Sequence, residues 1–238
     1  MPKAGEPLTR QRVLEAALSL IDREGLDGFS MRKLGAILGV EAMALYNHVE
    51  NKRALFDGVI ELLIVQSTYP ERRHGRPREE VWRLAHAFRD TLRTHPRVLP
   101  LVATSPLRTK ASLALLDRLL ATIQCAPVTG VQAIYALQCL VAFIVGHTWI
   151  ETGTPSVADL ERGPNGPMVW RQVPPEHYPT LHALLPQIAQ WDPDREFDFG
   201  LQALLQSWFS AKKRGVREHD NAKKTIQGLK RSGATRGQ

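Results

Sequence analysis

Apolar residues recur every three or four positions through almost the whole chain, and no stretch alternates in the manner of a strand. Val13, Ala16, Ala17, Leu20 and Ile21 mark one face of a first helix, capped by Thr9 and running to about Glu24. Gly25 and Asp27-Gly28 end it. Ser30 caps a second helix over Met31–Leu38, Gly39 supplies a turn, and a third helix is predicted over Glu41–His48. Asn51 caps a fourth, from Lys52 to about Thr68. After a break at Pro70, Gly75 and Pro77, further helices are predicted over Arg78–Thr94, Val98–Ala103, Lys110–Gln124, Val131–Ile150, Thr180–Gln190 and Asp194–Ala211. Residues 152–179 hold many glycines and prolines and read as a long loop. The fold class is therefore all-α.

Within this pattern, Leu119 to Ile150 contains no Asp, Glu, Lys or Arg, and Val131–Ile150 has about the length of a bilayer span. Gln132, Gln138 and His147 inside it, and the lack of a basic cluster at either end, favour a helix buried on nearly all sides over a membrane helix. Met1–Pro7 offers no apolar stretch behind a basic start, so no secretory leader is expected and the location is read as cytoplasmic. Cys125 and Cys139 have neither metal nor disulfide spacing and are expected to be small buried residues of a reducing compartment.

Composition is that of an ordinary soluble protein, with 43% hydrophobic and 23% charged residues, which excludes collagen-like and wholly disordered classes. The net charge of +7 changes the picture more, because residues 211–238 hold nine basic and two acidic side chains, enough to account for all of it. Residues 212–238 are expected as a basic, disordered tail. Residues 1–58 balance at eight against eight, so any case for nucleic-acid binding there rests on local pattern, not bulk charge.

That pattern is residues 28–55. Two helices that cross sharply need a small residue at the contact, met by Gly35, and a left-handed turn residue, met by Gly39. Leu34, Leu38, Val40 and Leu45 supply the inner face. Such a helix-turn-helix, over about residues 31–50, places its last helix in the major groove of double-stranded DNA. Ala42, Met43 and Ala44 project from that helix; they can approach thymine methyls but make no bidentate base contact. Tyr46, Asn47 and His48 cluster at its end, within reach of phosphates or base edges. Arg32 is the nearby side chain able to bind a guanine bidentately, and Lys52 can pair with a phosphate at the start of the next helix. Arg10 and Arg12 sit in the first turn of the first helix, where a nearby polyanion would offset their unfavourable position; two solvated arginines is the alternative.

Over Thr9–Leu62 the chain resembles the DNA-binding domain of the TetR family of transcriptional repressors. The residues that carry the resemblance are Leu14-Glu-Ala-Ala17, Gly25-Leu-Asp-Gly28, Ser30-Met-Arg-Lys-Leu34, Leu38-Gly-Val40, Leu45-Tyr-Asn-His48 and Asn51-Lys-Arg-Ala-Leu55. A weaker similarity to tetracycline-repressor C-terminal domains extends over the later helices. The resemblance implies an all-helical homodimer that represses transcription at a palindromic operator and leaves DNA when a small-molecule effector binds. It implies a helix-turn-helix domain over residues 1–62 and a ligand-binding and dimerisation domain over residues 63–211. Arg32, Ala42, Met43, Ala44, Tyr46, Asn47, His48 and Lys52 would face DNA. Ala42, Ala44 and Asn47 differ from the tetracycline repressors' residues, which leaves the operator sequence open.

The helix 131–150 carries Ala133, Ala136, Cys139, Ala142 and Gly146 at near-helical spacing, and the last helix carries Phe197, Leu201, Leu204, Leu205, Trp208 and Phe209. These two helices are the expected four-helix dimer interface; filling a monomer core is the alternative. The resemblance also implies a ligand pocket, for which Trp82, His86, Phe88, Thr104, Phe143, His147 and Trp149 are candidates, residue types that are more often ordinary core residues. His147 and Glu151 stand four apart, too sparse a pattern to indicate a metal, and no cofactor is expected. Leu101-Val-Ala-Thr104-Ser-Pro106 lacks the histidine of the tetracycline repressors' His-x-x-Thr, so a response to tetracycline through that chemistry is not expected. No nucleophile elbow, phosphate loop or metal spacing supports an enzyme. A sequence-tolerant binder driven by the basic tail is the other alternative.

Overall fold

A computed structural model describes residues 7–67, 76–153 except 129, and 174–210 except 189 and 191. The expected tail, the break before Arg76 and most of the 152–179 loop lie outside the described residues. Helices occupy nearly everything described, with no strand among those residues: α1 (Arg10–Glu24), α2 (Met31–Leu38), α3 (Ala42–Leu45), α4 (Lys52–Ser67), α5 (Pro77–Thr94), a 3-10 turn (Pro96–Val98), α6 (Leu99–Thr104), α7 (Lys110–Ile123), α8 (Val131–Thr152), α9 (Pro179–Ile188) and α10 (Pro193–Phe209).

Local chemistry sets these ends. The Thr9 hydroxyl accepts from the Arg12 N–H, the Ser30 hydroxyl from Lys33 N–H, and the Asn51 amide oxygen from Ala54 N–H at 2.9 Å. Each such cap stabilises its helix by about 1 kcal/mol. Gly39 ends α2 in the left-handed region, at φ 71° and ψ 28°. The third helix is shorter than expected. It ends at Leu45 because the Tyr46, Asn47 and His48 N–H groups each bond three residues back, to Met43, Ala44 and Leu45, winding the chain into tight turns.

Two cores form. The first gathers Val13, Ala17, Leu20 and Ile21 of α1, Leu34 of α2, Leu45 of α3, and Leu55, Val59 and Leu63 of α4, with Phe29 sealing one end. Burying each such side chain stabilises the fold by about 1.5–3 kcal/mol. Val98 and Leu101 from the 3-10 turn and α6 enter this same core, so the N-terminal helices rest directly on the later ones. The second core joins Val81, Ala85 and Leu92 of α5, Leu119 and Ile123 of α7, Ala133, Ala136, Leu140 and Ile144 of α8, and Phe197, Leu201 and Leu205 of α10.

Three expectations fail here. First, α8 is not buried on nearly all sides: only 44% of its most apolar window is covered. Every third or fourth residue faces the bundle, while Ile134, Tyr135, Val141, Trp149 and Ile150 face outward. By length and composition this helix could cross a membrane, with a mean hydropathy of 1.7. Second, the stripe of small residues does not share one face, since Ala133 and Ala136 point into the core and Cys139, Ala142 and Gly146 point out. Third, Cys125 and Cys139 are exposed, because each lies on the outward side of its segment. In α10, Phe197, Leu201, Leu205 and Trp208 are spent on the core, and the outward apolar residue is Phe199, 78% exposed.

Candidate nucleic-acid interface

Helix α3 is held across α2 by a close backbone approach. A Cβ placed on Gly35 would lie 2.8 Å from the Val40 carbonyl oxygen and 3.1 Å from the Ala42 nitrogen, so no larger residue fits without shifting backbone. Leu45 is fully buried and anchors α3 from beneath. The opposite side is presented to solvent, with Met43 73% exposed, Tyr46 and Asn47 exposed, and Ala42, Ala44 and His48 partly covered.

Cations stand in the chain before and after this surface. Lys33 is tied down, its ammonium donating to Glu24 at 2.6 Å and to the Gly28 carbonyl at 2.8 Å. The hydrogen bond from Lys33 holds the Glu24 carboxyl below its ordinary range. Arg32, Lys52 and Arg53 are exposed and make no ion pair among the described residues. They stand on the segments that precede and follow α3, with their charge not neutralised among the described residues. Arg10 differs, since its guanidinium pairs with Glu61 of α4 at 3.1 Å, and Arg12 donates to the Pro7 carbonyl at 2.9 Å. A partner within the fold offsets the cost of Arg10 in the first turn, where the sequence reading weighed an external polyanion.

The two halves meet at a polar contact. His95 Nδ1 lies 2.8 Å from Asp22 Oδ2, and the Arg97 guanidinium donates to the Arg23 carbonyl. Both acceptors belong to the last turn of α1, so the chain after α5 grips the N-terminal helices at their far end.

The second candidate site lies between α5, α8 and α10. Trp82 and His86 of α5 are adjacent, 5.0 Å between ring centroids, and His86 packs edge-on against Phe197 at 5.0 Å. Phe143 stacks on Phe197 at 5.2 Å, and His147 meets Phe197 edge-on at 5.2 Å. Phe143 also covers Gly200 so closely that a Cβ there would lie 2.5 Å from the ring. Three of the sequence-derived pocket residues, His86, Phe143 and His147, thus converge on Phe197, which sequence reasoning assigned to the dimer interface, and Trp82 joins them through His86. Phe88 packs elsewhere in the second core, Thr104 is exposed at the end of α6 with its hydroxyl donating to the Pro100 carbonyl, and Trp149 faces outward.

Beneath these rings runs a buried ionic network. Arg89, 1% exposed, donates to Glu151 at 3.0 and 2.9 Å and to the Pro193 carbonyl at 3.1 Å. It also pairs with Asp194 at 2.8 Å and lies 4.5 Å above the Phe197 ring. Arg93 contacts Glu151 at 3.1 Å and Asp194 at 3.0 Å. Partial burial pushes the Asp194 carboxyl up, but Arg89 and then Arg93 outweigh that and leave it below its ordinary value. His147 stands 3.7 Å from Glu151 and 3.5 Å from Glu196. Burial pushes its imidazole below the ordinary value, and Glu196 and Glu151 do not compensate. His86 Nε2 is 3.0 Å from Asp198 Oδ1 but out of line for a hydrogen bond. Among the described residues, no cluster of three or more His, Cys, Asp or Glu side chains is arranged to hold a metal.

Known proteins with the same pattern are regulators of transcription. Residues 13–59 match the model for bacterial regulatory proteins of the tetR family, and residues 69–207 match the tetracyclin repressor-like C-terminal domain. The HTH-type transcriptional repressor DrrR1 of Streptomyces coeruleorubidus is 29% identical over 211 residues, covering 83% of this chain and 76% of that protein. The class A tetracycline repressor protein from transposon 1721 of Escherichia coli is 31% identical over 200 residues, covering 81% and 87%. Among solved structures, apo ActR from Streptomyces coelicolor superposes with a TM-score of 0.72 at 25% identity, over 87% of this chain and 97% of ActR. ActR in complex with (S)-DNPA superposes at 0.70 and 25%, over 86% and 98%.

Proposed function

The chain belongs to the TetR family of transcriptional repressors, and we propose that it acts in the cytoplasm as a homodimer that binds a palindromic operator and is released by a small-molecule effector. Its activity is binding, not catalysis: it regulates transcription through DNA. The observation that carries the finer reading is the exposed α3, with Arg32 on α2 and Lys52 and Arg53 at the start of α4 exposed and without an ion pair among the described residues. Arg32 reads a guanine, Met43 with Ala42 and Ala44 touches thymine methyls, and Tyr46, Asn47, His48 and Lys52 engage phosphates and base edges at the rim. With so few discriminating side chains on α3, sequence-dependent DNA shape supplies part of the selectivity.

Dimerisation follows from the outward faces of α8 and α10. Ile134, Tyr135, Val141, Trp149 and Ile150 of α8 and Phe199 of α10 are exposed apolar side chains that a second copy covers. Two-fold symmetry then sets two copies of α3 on half-sites separated by whole helical turns, hence a palindrome. Domains over residues 1–62 and 63–211 divide the work, with α4 running through the boundary to Ser67 as the mechanical link. The effector site is the aromatic cluster of Trp82, His86, Phe143 and His147; Phe88 and Thr104, the other candidates, do not join it in ring or hydrogen-bond contact among the described residues. The complex of ActR with (S)-DNPA supports a ligand bound by this type of fold.

Removing residues 212–238 tests this reading against tail-driven binding. Palindrome-specific affinity should survive, with a shallower dependence on salt. Loss of all specific binding would refute the helix-turn-helix as the reading element.

A further inference from the structure

Lys52 opens α4, the end of a helix where the backbone dipole disfavours a cation. No acidic residue stands in that first turn to offset it. Its ammonium lies instead over two aromatic faces, 5.4 Å from the Phe29 ring centre and 5.3 Å from that of Phe56. The two rings are 5.1 Å apart and inclined at 59°, so they form a shallow seat open on one side. Phe29, 4% exposed, is locked into the first core. Phe56 is half-buried, one helical turn beyond Lys52.

A seat of this kind differs from a salt bridge in what it leaves available. A carboxylate partner would occupy the ammonium's donors and cancel its charge, as Glu24 does for Lys33. Ring faces attract the charge through their quadrupoles and leave N–H donors pointing outward. The long lysine stem is thereby held near one geometry, and less rotamer freedom remains to be lost on binding. We propose that Phe56, backed by Phe29, is a positioning residue that presents the Lys52 ammonium to a DNA phosphate. The inference rests on the reading above that Lys52 contacts the DNA backbone. Neighbouring Arg53 has no such ring contact among the described residues.

The test is a double-mutant cycle on the full chain, using a duplex that carries the operator protected in footprinting. Phe56→Leu should weaken binding two- to five-fold, the factor that corresponds to an exposed cation–π contact of about 0.5–1 kcal/mol. The loss should be uniform across operator variants, as expected of a phosphate contact. Phe56→Leu should cost nothing further once Lys52→Met is present, and Phe56→Tyr, which keeps the ring face, should bind within two-fold of the parent. In the free protein, the Lys52 ε-methylene protons should show an upfield ring-current shift that Phe56→Leu reduces to the part due to Phe29, a signature that does not depend on DNA. Equal losses from Phe56→Leu in both backgrounds would overturn the inference and leave the phosphate role of Lys52 intact. If Lys52→Met has no effect on affinity, that role is wrong and the inference falls with it, while reading by Arg32 and α3 stands apart.

Discussion

Arg89→Ala is the substitution whose cost the geometry determines best. Arg89 is 1% exposed and carries two hydrogen bonds to Glu151, one to the Pro193 carbonyl and a pairing with Asp194 at 2.8 Å. The Glu151 side chain is itself only 7% exposed. With the guanidinium gone, Glu151 keeps Arg93 alone and remains a carboxylate out of water. Removing one partner of a buried pair costs about 3–5 kcal/mol, a large part of the roughly 5–15 kcal/mol that stabilises a whole domain. Replacing both partners with apolar residues of similar volume, Arg89→Met with Glu151→Leu, removes the buried charges together. Arg93 and Asp194 keep each other at 3.0 Å, so the double variant should lie within about 1 kcal/mol of the parent. Urea unfolding followed by circular dichroism, at one fixed protein concentration because association adds to apparent stability, measures both. A loss below about 1 kcal/mol for Arg89→Ala, the value of a surface pair, would refute the argument. So would a double variant as unstable as the single one.

Three further outcomes are expected. Gly35→Ala forces a methyl to within 2.8 Å of the Val40 carbonyl oxygen; it should cost about 1–3 kcal/mol and weaken operator binding, and an unchanged melting temperature would contradict the proposed contact of α2 with α3. His147 has a folded-state pKa below its unfolded value of about 6.5, so the unfolded chain binds the extra proton first. Its contribution to stability is complete above that pH and is lost progressively as pH falls toward the lower folded value; His147→Gln should flatten the slope there, and parallel pH profiles would exclude this role. Phe199→Glu places a charge on the outward face of α10 and should shift sedimentation from dimer to monomer with the helical content unchanged; a dimer of unaltered affinity would place the interface elsewhere.

Periodicity made the N-terminal half legible because its signals are local. Thr9, Ser30 and Asn51 cap the helices expected of them, and Gly39 takes the left-handed turn. The truncation of α3 was not legible, since nothing in Glu41–His48 announces that the chain will tighten into three-residue turns after Leu45. In the second half, apolar content concealed orientation. Helix α8 is apolar all round, so composition could not say that Ala133 and Ala136 face inward while Tyr135 and Ile150 face out. For the same reason Phe197 read as an interface residue, although the bundle makes it the hub on which His86, Phe143 and His147 converge. The Lys52 seat was half visible: Phe56 lies four positions beyond Lys52, the spacing of helical neighbours. Phe29, arriving from the loop before α2, could be placed only by the fold.

Reading of DNA by Arg32 and α3 is measured by footprinting the full chain on the DNA upstream of its own gene, with Arg32→Ala beside the parent. A homodimer should protect one segment with two-fold symmetric halves. Arg32→Ala should relax selectivity at one symmetry-related base pair per half, by about 1–3 kcal/mol. Protection without symmetry, or discrimination at every position untouched by Arg32→Ala, would contradict that reading.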